Sequence, residues 1–165
     1  MDSQPFRYLV AFLHIAPVIS STCTLWLAID QHSSLQILTR PRIHGLDERF
    51  LPSYFIAFFD SIVYRVVGLL LTTMASVAGI VRFSDMSSGE HCSNHWYVAS
   101  ACLAMVHLLV YPVIAPHVEA LRRDCREKNV DELQGWLRIH RLRTLIIDLP
   151  AWMCCVIGAI HCLSK

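Results

Sequence analysis

The sequence predicts an all-α fold, an integral membrane four-helix bundle, and three observations carry that prediction. Hydrophobic residues make up 55% of the 165-residue chain against 16% charged. The mean hydropathy is +0.46, far from the balance of an ordinary soluble domain. The apolar residues also fall in four blocks, at about 8–29, 62–81, 96–118 and 143–163. A block of ~20 residues rising 1.5 Å each matches a hydrocarbon core of ~30 Å. Isolated strands cannot satisfy their backbones in lipid, so the blocks are read as helices.

The first helix, over 8–29, follows a single arginine, Arg7, and contains His14 and Pro17. It is too long for the apolar core of a secretory signal and no small-x-small cleavage site follows, so it is read as a retained helix. The second, over 54–82, begins near Pro52, a residue suited to a first helical turn. A helix from there to Arg82 is ~45 Å long, so PSYFIAFFD falls in the membrane interface. Asp60 then marks the border and Arg65 lies about one turn inside. The third, over 96–118, has Trp96 and Tyr97 as interfacial anchors, His107 near the midplane, Tyr111 less than two turns deep and His117 at its end. The stretch EALRRDCREKNVDELQGW reads as a charged helical loop with a solvated face. The fourth helix, over 143–163, places Asp148 about one turn inside. No repeat, low-complexity tract or linker divides residues 1–165, which read as a single transmembrane domain.

Basic residues orient the bundle. Arg7, Arg82 and Lys165 lie on the side of the termini. Arg40, Arg42, Arg49, Arg122, Arg123, Arg126, Lys128, Arg138, Arg141 and Arg143 lie on the other. By the positive-inside rule the first and third loops are cytoplasmic and both termini lumenal. The bilayer is the expected partner, and the net charge of +1 calls for no nucleic acid. Of the seven cysteines, Cys23, Cys102, Cys154, Cys155 and Cys162 read as apolar fillers in the spans. Cys92 and Cys125 fall on opposite sides and cannot pair. There is no C-x-x-C motif, which argues against a thiol oxidoreductase.

Charges placed within a span pair with one another or face a wet cavity. Arg65 and Asp148 share a depth and are expected to pair. His140, Thr144, Asp148 and Trp152 recur every four residues and share a helical face, as do His107 and Tyr111. These residues converge on a pocket in the cytoplasmic third. Bland readings stand beside this one. Arg65 can snorkel to the headgroups, the Arg65–Asp148 pair can be purely structural, and His107 can be a packed core histidine. Asp60, His117, His140 and Arg143 can simply decorate the border. HCSNH (His91, Cys92, His95) offers ligand atoms without a second pair, so no metal is expected. No phosphate loop, nucleophile elbow or H-E-x-x-H is present.

YPVIAPHVEAL (Tyr111, Pro112, Pro116, Leu121) followed by W-x-x-x-H-x-x-R (Trp136, His140, Arg143) resembles the fungal anthrone-oxygenase-like group. These are small four-helix membrane proteins, many of them classed as a domain of unknown function. In that group a Pro-Asn pair ends the third helix and W-x-x-x-N-x-x-R opens the fourth; here His117 and His140 stand in place of asparagine. The N-terminal half matches in layout, with ISSTC, Trp26 and a long first loop.

The resemblance implies an oxygenase of secondary-metabolite pathways that oxidises a flat polyketide anthrone with O₂ and no cofactor. The compartment it implies is the endoplasmic reticulum or a related endomembrane. Such chemistry needs a base and a positive group for the oxyanion. His140 or His107 is the expected base, with Arg143 and Arg65 as oxyanion stabilisers and Asp148 orienting one of them. Trp136 or Trp152 is the expected aromatic wall, and Tyr111 and His117 complete the substrate site. The two histidines in place of asparagine leave room for an acid–base cyclase or isomerase of a lipophilic intermediate. A rival of another class is a non-catalytic membrane scaffold subunit.

Overall fold

The computed structural model describes residues 4–40, 50–84, 94–123 and 128–164. Within them the chain is helical, as the hydropathy blocks require. In order come α1 (Gln4–Ile37), α2 (Phe50–Ser84), α3 (Asn94–Leu109), α4 (Tyr111–Arg122), α5 (Asn129–Arg143), a π-helical turn at Thr144–Asp148 and α6 (Leu149–Leu163). They make four stretches long and apolar enough to cross a membrane: Ala11–Ile37, Phe50–Arg82, Asn94–Arg122 and Asn129–Cys162.

Prolines set the two interruptions. A proline ring inside a helix lacks an N–H and crowds the carbonyl four residues back. Between α3 and α4, Pro112 is relieved by a tightened turn, in which the Val110 N–H reaches the carbonyls of Val106 (3.2 Å) and His107 (3.3 Å). Before Pro150 the helix widens instead, and the Leu149 N–H bonds the Thr144 carbonyl five residues back. A local π turn is one of the ways a membrane helix re-satisfies the groups a proline frees.

α1 packs on α2 and α6, and α3 packs on the same two, closing a ring of four spans. α4 and α5 continue the ring at the loop end. An apolar cluster there joins Leu35, Phe55, Leu121, Leu133 and Trp136, and a smaller one at the termini end joins Val77, Ile80 and Tyr97. Outward faces carry Trp26, Tyr64, Leu109 and Ile146, as suits a surface solvated by lipid tails. Outside the clusters the buried residues include many polar ones, among them Ser20, Thr24, Thr73, His107 and Asp148.

Several expectations need correction. The fourth helix begins at Asn129 rather than near 143, because the supposed loop hides Leu133, Trp136, Leu137 and His140 on its inner face and turns its charges outward. Tyr97 is no interfacial anchor: it is fully buried, with its hydroxyl 3.3 Å from His14 Nδ1. Gly158 is the close approach that admits the Tyr97 ring, since a Cβ there would lie 3.0 Å from Cε2. Cys155 is buried, but Cys23 and Cys102 are exposed and fill nothing. His91, Cys92 and Cys125 lie outside the described residues.

Candidate functional site

The polar residues of the third and fourth spans meet between the two apolar clusters. His107 hangs from α3, and its Nδ1 lies 2.6 Å from Asp148 Oδ1. A carboxylate only accepts, so the imidazole donates from Nδ1 and its Nε2 lone pair is left over. Nε2 has no hydrogen-bond partner among the described residues. The other carboxylate oxygen, Oδ2, lies 3.5 Å from Arg143 Nε, an ion-pair contact longer than a hydrogen bond. Both side chains are buried.

The π turn makes that second contact possible. Residues five apart on a regular α-helix point about 140° from one another, which would send Arg143 and Asp148 to different faces. One widened turn brings them together. π bulges are frequent at functional sites, and here the bulge places a carboxylate between an arginine of its own span and a histidine of the next.

Arg143 also donates from a terminal nitrogen to His140 Nδ1 at 3.0 Å, and His140 Nε2 lies 2.9 Å from the Ala28 carbonyl. A carbonyl oxygen only accepts, so His140 carries its proton on Nε2 and takes the arginine's hydrogen on Nδ1. Both ring nitrogens are thereby committed. The ring stacks on Trp136 at 4.7 Å and on His32 at 6.2 Å. The result is a relay across the bundle: Ala28, His140, Arg143, Asp148, His107.

A cavity of about 320 Å³ opens beside this relay, at the small end of the range for ligand sites. His107, Tyr111, Trp136 and Arg143 line it, together with Gln31 of α1. α2 supplies an apolar wall that includes Phe58 and Phe59. Behind Asp148 a second space of about 10 Å³ is lined by Ser21, Thr24 and Thr73, roughly the room one water occupies. Among the described residues no group of side chains has the makings of a metal site.

Of the residues singled out in the sequence, His107, Arg143, Tyr111 and Trp136 reach the cavity. Asp148 stands behind His107, and His140 behind Trp136. Three are not brought there. Arg65 is exposed on α2 and makes no ion pair among the described residues, so the expected Arg65–Asp148 pair is replaced by His107 and Arg143. Trp152 donates to Thr22 Oγ1 at 2.9 Å and ties α6 to α1. His117 pairs through Nδ1 with Glu132 at 2.7 Å, linking α4 to α5 over Gly135, where a Cβ would lie 2.7 Å from His117 Cε1. Asp60, read as a border marker, holds Arg122 at 2.6 Å. Gln31 was missed because it lies beyond the apolar block of the first helix. Its register with buried Ala28 and Leu35 on one helical face is the signal that could have found it.

Three curated fungal proteins are similar over nearly the whole chain. "Probable epoxidase scpX" of Mollisia scopiformis is 25% identical over 158 residues, 94% of this chain and 98% of that protein. "Epoxidase gkaX" of Penicillium citrinum is 27% identical over 155 residues, 90% and 92% of the two chains. "Epoxidase pydX" of Acremonium sp is 24% identical over 154 residues, 92% and 94%. The chain is a distant homologue of these fungal epoxidases. Their names give oxygen transfer, but not anthrone oxidation in particular. No family model matches the sequence, and no solved structure matches it significantly.

Proposed function

We propose that the chain is a membrane-embedded tailoring enzyme of fungal secondary metabolism that transfers oxygen to a lipophilic small molecule, with His107 as its base. The observation that carries this reading is the His107–Asp148 hydrogen bond at the wall of an apolar cavity. Asp148 fixes the imidazole so that Nε2 is the basic atom. Arg143 supplies positive charge for an oxygen that becomes negative. A flat or extended apolar substrate enters such a cavity from the bilayer. The epoxidase names of the three relatives support oxygen transfer as the reaction class.

Two finer reactions fit the arrangement, and they differ in their electron balance. Turning an alkene into an epoxide with one atom of O₂ leaves the other atom to become water, which takes two electrons and two protons from a reductant. Turning the CH₂ of an anthrone into a carbonyl, with release of water, draws all four electrons from the substrate. Epoxidation is the reading that the relatives favour. Anthrone oxidation is favoured by a base and a cation beside an aromatic wall, since deprotonation at carbon gives an electron-rich anion that reacts with O₂.

The test uses membranes containing the full chain, isotopically labelled O₂, and two substrates: a lipophilic conjugated polyene and anthrone. Each is run with and without an added two-electron reductant. Label in an epoxide, dependent on the reductant, supports the first reaction. Label in the quinone without reductant, above the spontaneous rate, supports the second. No enzyme-dependent label in either product, with the protein folded, overturns the reading and favours the scaffold.

A further inference from the structure

The relay accounts for His140, Arg143, Asp148 and His107, but it leaves two polar groups on the cavity wall without a task. Trp136 is 3% exposed and its indole N–H has no acceptor, although the ring lines the cavity. Gln31 is 4% exposed, lines the same cavity, and its carboxamide forms no hydrogen bond among the described residues. Buried polar groups are almost always satisfied, and each exception calls for an explanation.

The two lie at one level of the bundle. α1 and α5 run antiparallel, and the His140 hydrogen bond to the Ala28 carbonyl sets their register. Three residues on from Ala28 is Gln31, and four back from His140 is Trp136, so the two arrive at nearly the same height on facing helices. Trp136 precedes Arg143 by seven residues, which is ~10 Å along the axis. The Arg143 side chain reaches back to His140, on which Trp136 stacks, so the pair and the cation share one continuous cavity wall with His107. Trp136 can only donate, and the Gln31 amide has two donors. Their common complement is an acceptor oxygen.

We propose that Gln31 and Trp136 form a binding site for a carbonyl oxygen of an otherwise apolar substrate. This deepens the oxygen-transfer reading and rests on it. The carbonyl anchors one part of the molecule, and the reacting carbon lies beside His107 and Arg143, which line the same cavity. A substrate of similar shape without the oxygen leaves both donors unpaired and is rejected, the asymmetry by which hydrogen-bonding sites discriminate.

Binding of fluorenone and fluorene, which differ by C=O against CH₂, tests the site. Affinity is measured by equilibrium dialysis against nanodiscs carrying the full chain, with empty nanodiscs to subtract partition into lipid. The wild type should prefer fluorenone by roughly 10-fold, the scale of one buried hydrogen bond. Trp136→Phe keeps the stacked ring, and Gln31→Leu keeps the bulk. Each should reduce the preference to about 3-fold or less while leaving fluorene affinity nearly unchanged. Equal binding of the two compounds by the wild type overturns the proposal. So does a preference that survives both variants, which would assign the carbonyl to Arg143. Loss of fluorene binding in both variants overturns it too, since the two residues would then hold the cavity open rather than read a ligand. No oxygen chemistry enters the measurement. A carbonyl preference without turnover keeps the site and removes the oxygenase reading; turnover without a preference does the reverse.

Discussion

His107 and Asp148 are 41 positions apart in the chain, on different spans, yet their side chains meet at 2.6 Å with almost no exposure. A buried carboxylate is costly unless it is both hydrogen-bonded and paired. Asp148 meets that condition with one oxygen on the imidazole and the other toward Arg143. The same geometry frees one nitrogen of His107, the atom a base requires. Structural need and chemical capacity thus come from a single set of contacts.

Asp148→Asn should separate these roles. The amide keeps the shape but removes the charge that orients His107 and offsets Arg143. Turnover should fall by roughly 10²–10⁴-fold, the usual worth of a general base. The orphaned arginine should also cost on the order of 3–5 kcal/mol. Adding Arg143→Gln should recover part of the stability but none of the rate, whereas Arg65→Gln should be neutral in both. Product formation and thermal inactivation in detergent measure the two effects. A wild-type rate in Asp148→Asn would remove the dyad from the mechanism.

His140 and His107 are expected to behave differently, although both are buried histidines. His140 has each nitrogen committed, one to the Ala28 carbonyl and one to Arg143. A glutamine there cannot span both partners. His140→Gln should cost about 1–3 kcal/mol for the group left unsatisfied, with the folded fraction retaining most of its rate. His107→Gln should do the opposite, keeping the fold and losing turnover. Specific activity normalised to the folded fraction checks the contrast; equal losses per folded molecule would return His140 to the list of bases.

The spans were legible in the sequence because each is apolar over the thickness of a bilayer, and burial of charge pointed to Asp148 as a site. Its partners were less legible. Arg65 and Arg143 both lie near the depth of Asp148, and regular helical spacing puts Arg143 on the wrong face. Pro150 was the available clue, since a proline within a span forces the turn before it to change. Gln31 was hidden for another reason. Asp30, Gln31 and His32 break the apolar run, yet the helix continues to Ile37 because Ala28 and Leu35 keep its inner face buried.

Orientation follows from charge rather than from packing. From the basic excess in the first and third loops we propose that these loops face the cytoplasm, which would put the loop end of the cavity on that side. An N-glycosylation acceptor built in at about residue 90 should be modified, and one near residue 127 should not. Modification of the second site alone would invert the bundle and move the cavity to the lumenal half.

The π turn can be tested through its cause. Pro150→Ala restores a backbone N–H and removes the crowding of the Ile146 carbonyl, the two features that oppose a regular helix. If the helix then closes to 3.6 residues per turn, Arg143 and Asp148 come to point about 140° apart and the ion pair is lost. Stability should hold or rise, because proline inside a helix costs about 3 kcal/mol relative to alanine and this offsets the broken pair. Turnover should fall by at least roughly 10-fold, as expected when a positioned group moves by an ångström or more. The informative combination is a rate that drops while the melting temperature does not. A rate and melting temperature both unchanged would mean that the Arg143–Asp148–His107 contacts hold the turn open by themselves, with the proline only accommodated within it.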